Sequence, residues 1–169
     1  PPQNVVKVMT DSDQSGDLLT RRSTSGFVAM CGKHSLKHGS NSQPVPKMSS
    51  GEAEYSGVVK GASIGMGVQS MYEDYNEKMK LIVFTDSSTA RSITQRRGIG
   101  KIRHLETRLL WVQHYVYNQL LRVEKIATAE NPADLFTKFL DEKRTIMLLK
   151  KMGFEYRSGR PKAAKQVMQ

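Results

Sequence analysis

Leu81-Ile82-Val83-Phe84-Thr85-Asp86-Ser87 is a short, continuous apolar run that stops on an acid. An unbroken apolar run of this length is the pattern of a strand buried on both faces. An earlier run, residues 5–10, ends the same way, in Met9-Thr10-Asp11-Ser12. It is β-branched and is followed by the polar turn cluster Asp13-Gln14-Ser15-Gly16-Asp17. Residues 23–31 read as a second strand. A third covers 35–37 or lies nearer 45–48, where Pro44 and Pro46 weaken it. The period then changes. Ser49-Ser50-Gly51-Glu52 has the form of a capping box, which predicts a helix to about residue 75. A meander joined through that helix to the run at 81–85 places strands 5–10 and 81–85 parallel and adjacent. Asp11 and Asp86 then meet where the strand order reverses, the place at which open sheets of this kind bind ligands.

The remaining chain completes an α/β fold. Its mixed sheet is a three-strand antiparallel meander extended by two parallel strands, with helices on both faces. Residues 87–94 form a short helix, and Arg96-Arg97-Gly98-Ile99-Gly100-Lys101 a basic joint. Residues 103–118 carry Leu105, Leu109, Val112 and Val116 at helical spacing. Residues 121–127 form the last strand. Asn131-Pro132 opens a helix, with Asn as N-cap and Pro at the first helical position. A final helix spans 141–151. Gly57, Gly61 and Gly65 form a stripe along the long helix, where another element must pack closely. The domain is placed at 1–153, with 154–169 as a basic, flexible tail.

The chain has 169 residues, 26 Lys plus Arg and 16 Asp plus Glu, for a formal net charge of +10. The hydrophobic fraction of 38% and the single Cys31 exclude a membrane span and a disulfide scaffold. Cys31 is expected as a buried structural thiol without a disulfide partner. The excess positive charge points to a polyanion, nucleic acid first and an anionic membrane surface second. A start at Pro1-Pro2 without Met suggests a piece or a processed product of a longer polypeptide. No signal peptide is evident, and an intracellular location is expected.

Two carboxylates a few ångströms apart repel unless they share a proton or bind a cation. A hard divalent ion, Mg²⁺ or Mn²⁺, meets that need with oxygen ligands. Two further acids can reach the same edge: Glu54 in the first turn of the long helix, and Asp134 in the first turn of the helix opened by Asn131. Either alone is explained by the preference of helix N-termini for acids; convergence of all four is not. Glu52 and Glu54 point about 200° apart on a helix, so only one can face the site. Glu52 already has a place in the capping box.

These residues resemble the ribonuclease H domain of copia-type LTR retrotransposon polyproteins. The resemblance rests on Asp11-Ser12-Asp13 with Gly16-Asp17, Arg21-Arg22-Ser23-Thr24-Ser25-Gly26-Phe27-Val28, Ser49-Ser50-Gly51-Glu52-Ala53-Glu54-Tyr55, the Asp86 strand end and Asn131-Pro132-Ala133-Asp134-Leu135-Phe136-Thr137-Lys138, in that order. It implies an RNase H-like fold and an endoribonuclease that hydrolyses the RNA strand of RNA–DNA hybrids. It also implies two Mg²⁺ ions, with Mn²⁺ as a substitute, held by Asp11, Glu54, Asp86 and Asp134. Two ions roughly 4 Å apart clamp the attacking and leaving oxygens of an in-line displacement. A parent polyprotein with a reverse transcriptase is the implied context.

The sequence departs from the family pattern at Gln14, which stands for a Trp, along 36–43, and at Pro44 and Pro46. Arg103-His104-Leu105-Glu106 replaces a K-H-I-D motif, and residues 128–130 supply no histidine, leaving water or Glu130 to protonate a leaving group. His104 and His114 read as structural or surface residues. Arg21, Arg22, Arg96, Arg97, Lys101 and Arg103 are the candidates for phosphate contacts, which position a duplex without reading its bases. Two alternatives stay open. One is a domesticated domain, weakly active or inactive, that binds nucleic acid or protein. The other is a different nuclease or strand-transfer enzyme of the same superfamily.

Overall fold

A computed structural model describes residues 4–100, 106–155 and Gly159. Five strands form one sheet in the order β3-β2-β1-β4-β5. β1 (Val5–Ser12), β2 (Thr24–Cys31) and β3 (His34–Ser42) make the antiparallel meander. The helix α1 (Ser50–Glu73) crosses over to β4 (Lys80–Thr85), which runs parallel to β1, and β5 (Arg122–Lys125) runs parallel to β4. Alternation along β1 divides it between two layers. Val6 and Val8 enter a core with Tyr55, Val58 and Ala62 of α1, Ile93 of α2 (Ser88–Gln95) and Val112 of α3 (Trp111–Tyr117). Met9 enters a smaller core on the opposite face, with Val28, Met30, Ala133 and Met152. Helix α4 (Glu142–Lys151) completes the described elements, and no helix among the described residues is long and apolar enough to cross a membrane.

The glycine stripe of α1 meets the sheet. A methyl group at Gly61 would lie 2.4 Å from Thr10 Cγ2, and one at Gly65 2.3 Å from Leu81 Cδ1. Glycine therefore sets how close the helix comes to β1 and β4. On the other face Gly26 does the same for the segment after Asn131: a methyl there would lie 2.7 Å from the Ala133 carbonyl oxygen.

Several boundaries differ from expectation. β3 is a full strand over His34–Ser42, and 45–48 is irregular. It is an edge strand with most of its residues exposed, so it carries no apolar alternation to read. The helix expected over 103–118 is, among the described residues, a 3-10 turn at Thr107–Leu109 followed by α3. The helix after Asn131 is a five-residue 3-10 turn, Pro132–Phe136. It is docked so closely on Gly26 that it does not extend into an α-helix. Cys31 is half-buried rather than buried, at the end of β2 beside Tyr72.

Candidate metal centre

Thr10 of β1 stands opposite Thr85 of β4, the last pair between these strands, so Asp11 and Asp86 follow side by side, Asp11 still paired with Gly26 of β2. Glu54 reaches them from the start of α1. Its register follows from the cap: the Ser49 hydroxyl accepts from the Glu52 amide at 3.2 Å. The Glu52 carboxylate in turn accepts from the amide of Met48, one residue before the cap, at 3.1 Å. The two glutamates diverge as the helical step requires. Glu52 lies 3.7 Å from the buried Lys47 ammonium, which also contacts Glu106 at 3.5 Å. Glu54 faces the carboxylates.

One carboxylate oxygen from each of Asp11, Glu54 and Asp86 lies within 4.8 Å of the others. Oxygens sharing one Mg²⁺ at about 2.1 Å stand at most about 4.2 Å apart, so a small closure would seat such an ion. The electrostatics fit the same group. Burial, then repulsion from Asp11 and Asp86, pushes the Glu54 carboxyl up to about 8. Burial also raises Asp11, against the opposing pull of the Thr137 hydroxyl and the Lys138 ammonium. A divalent cation relieves both.

Asp134 is completely buried and lies across Lys138 from this trio. Asn131 places it, accepting from the Ala133 amide at 3.1 Å and donating to the Thr10 carbonyl at 2.9 Å, which ties the 3-10 turn to the end of β1. Lys138 Nζ donates to Asp11 Oδ1 at 3.2 Å and to Asp134 Oδ1 at 3.0 Å. Arg144 donates to Asp134 Oδ2 at 2.6 Å. Burial works against the Lys138 charge, but Asp11 and Asp134 hold its pKa above the ordinary lysine value. Thr137 donates to Asp11 Oδ2, and Thr128 to Asp86 Oδ2 at 2.8 Å.

The sequence assigned no role to Thr128, Thr137, Lys138 or Arg144. Lys138 had a readable signal, since it stands four residues after Asp134 on the same turn. Arg144 had none: it comes ten residues later, from another helix.

The basic candidates separate. Arg21 and Arg22 are exposed in the loop between β1 and β2, which Asp17 organises by accepting from the amides of Leu19 and Thr20. Arg96 folds back to donate to the Ile99 carbonyl at 2.7 Å, and the Arg97 guanidinium stacks 4.0 Å from the Tyr117 ring centroid. Lys101, Arg103 and His104 lie outside the described residues. His114 is exposed and in contact with Asn118, and Glu130 pairs with Lys151 at 2.6 Å.

No family model matches the sequence. The chain is 27% identical over 136 residues to a retrovirus-related Pol polyprotein from a Nicotiana tabacum transposon, and the match covers 79% of this chain. The chain spans about a tenth of that polyprotein. Among solved structures it is similar to the N-terminal RNase H domain of a Mycobacterium tuberculosis protein. That match has a TM-score of 0.53 and 19% identity, covering 78% of this chain and 91% of that one. It is also similar to an RNase H1 isolated from compost by a metagenomic approach, with a TM-score of 0.50 and 18% identity over 76% of this chain and 88% of that one. The five-stranded mixed sheet with its helical crossover is an RNase H-like fold, as in these solved structures, and the chain is similar in sequence to part of a retrotransposon Pol polyprotein.

Proposed function

We propose that the domain is a metal-dependent ribonuclease H that hydrolyses the RNA strand of RNA–DNA hybrids. The observation that carries this reading is the convergence of Asp11, Glu54 and Asp86 at the carboxyl edge of adjacent parallel strands. Those three carboxylates would hold a divalent ion, Mg²⁺ by preference, and Asp11 with Asp134 would hold a second at full loading. Bound there, such ions activate water and take up the charge that develops on a leaving 3′-oxygen.

The chain's own groups fix the frame for that chemistry. Thr137 and Lys138 orient Asp11, Thr128 orients Asp86, and Asn131 locks the Asp134 turn onto β1. Glu54 must give up its proton before it can ligate, because burial among acids favours its neutral form. Arg21 and Arg22 are exposed in the loop between β1 and β2 and would take phosphates of the hybrid. The RNase H names of the structural neighbours and the Pol polyprotein relative support this activity and a parent polyprotein; a reverse transcriptase in that parent and an intracellular setting belong to the same proposal. The division at residue 153, with a basic tail beyond it, belongs to the same proposal.

One observation favours a second reading, a nucleic-acid-binding domain without turnover: both Asp134 oxygens are engaged by cationic side chains. A labelled RNA–DNA hybrid incubated with and without Mg²⁺ decides. RNA-strand cleavage that EDTA abolishes, with duplex DNA left intact, supports the ribonuclease. Full cleavage in excess EDTA contradicts it. Intact hybrid at high enzyme and Mg²⁺ also contradicts it and favours the binding module.

A further inference from the structure

We propose that the Lys138 ammonium holds the second cation position of this site, so that the free protein takes one divalent ion at Asp11, Glu54 and Asp86 and admits a second only when Lys138 swings out. The inference rests on the metal-site reading above and adds to it a resident competitor.

A second ion sharing Asp11 would have to sit between Asp11 and Asp134. Lys138 Nζ is already there, 3.2 Å from Asp11 Oδ1 and 3.0 Å from Asp134 Oδ1. The other Asp134 oxygen is held by Arg144 at 2.6 Å. Asp134 is fully buried, so it has no hydrated face from which an incoming ion could approach.

Charge counting agrees. Once Glu54 has given up its proton to ligate, the four carboxylates against Lys138 and Arg144 leave a surplus of two negative charges. One divalent ion cancels that surplus; a second would leave the cluster positive by two. Unbalanced charge out of water is costly, so one-ion loading with Lys138 in place is the favoured state. The lysine is also built to leave. Its side chain remains 39% exposed, and its ammonium is a point charge on a flexible four-carbon stem. A phosphodiester at the site would offer it another anion.

The experiment counts Mn²⁺ bound to the full chain without nucleic acid, by titration calorimetry and electron paramagnetic resonance. Wild type should saturate at one Mn²⁺ per chain, with the spectrum of an isolated ion. Lys138→Met, which keeps length and loses charge, should take two ions with a spin-coupled spectrum. Lys138→Arg should stay at one. Two coupled ions in wild type, or equal counts in wild type and Lys138→Met, would overturn the proposal. If Lys138→Met does not fold without metal, the wild-type count decides by itself. A wild type that binds no Mn²⁺ overturns the metal-site reading and this inference together. Two ions with hybrid cleavage overturn only the inference; one ion without cleavage overturns only the ribonuclease.

Discussion

Glu54 carries a conflict that the rest of the fold has to contain. Its folded pKa of about 8 lies above the ordinary value of 4.5 because burial and two neighbouring acids oppose its charge. Between those values the folded state binds more protons than the unfolded one. Metal-free stability should therefore fall as pH rises through that window. Glu54→Gln removes the Glu54 share of that dependence and leaves the smaller share of Asp11, which burial also raises. In EDTA the variant should match wild type near pH 5 and melt higher near pH 8.5. A gain on the order of 1 kcal/mol would raise the melting temperature by about 2–4 °C in a domain of this size. A difference that does not change with pH contradicts the assignment. Glu52 behaves oppositely. It faces the buried Lys47, so Glu52→Gln should cost roughly 1.5–3 kcal/mol in chemical denaturation, in the range of a hydrogen bond to a charged group. No loss would mean that Glu106 alone satisfies Lys47. The sequence made the divergence of the two glutamates legible, because helical geometry requires it. It did not reveal Lys47, Lys138 or Arg144 as partners, because those pairings exist only once separate segments have docked.

At the scale of elements, α1 shows how packing overrides propensity. Alanine is the better helix former by about 1 kcal/mol, so glycine in a helix needs a reason. At Gly61 the reason is Thr10, 2.4 Å from any added methyl, and Gly61→Ala should destabilise by roughly 1–3 kcal/mol through overpacking. Gly67 has no atom within 4 Å of such a methyl, so Gly67→Ala should stabilise by about 0.5–1 kcal/mol. Paired urea unfolding curves test both; equal shifts of one sign would show that the helix does not approach the sheet as described. Strands with one or two buried faces, β1, β2 and β4, were legible from their residues. β3 was placed poorly because an exposed edge strand has no apolar period to display. The 3-10 turn after Asn131 was legible as a capped start but not as a short element, since close contact with Gly26 limits it.

Over the whole molecule, a net charge of +10 contrasts with an acidic site at one edge of the sheet. On the proposed function, the excess positive charge would draw a polyanion in, and a cation at the site would let its phosphate approach the carboxylates. Hybrid affinity should fall steeply with salt, with a slope near −0.9 in log K per phosphate neutralised. Arg21→Ala with Arg22→Ala should reduce that slope by about 1–2 in filter-binding titrations. An unchanged slope would move the binding face elsewhere. Arg96→Ala with Arg97→Ala should change it less, since those guanidinium groups are engaged with Ile99 and Tyr117. The overall topology was legible because two matching strand ends and one crossover helix permit few arrangements. The internal use of Arg96 and Arg97 was not, because a charge run looks the same whether solvated or folded back. The central claim is that Glu54, and not its neighbour Glu52, completes a metal-dependent nuclease site, and the most direct measurement is the Mg²⁺-dependent rate of RNA-strand cleavage in a hybrid for both variants. Glu54→Gln should lower that rate by at least about 100-fold, because loss of even a supporting outer-shell group costs about 10–100-fold. Glu52→Gln should stay within a few-fold of wild type at a temperature where it remains folded. An active Glu54→Gln beside a dead, folded Glu52→Gln would contradict the account.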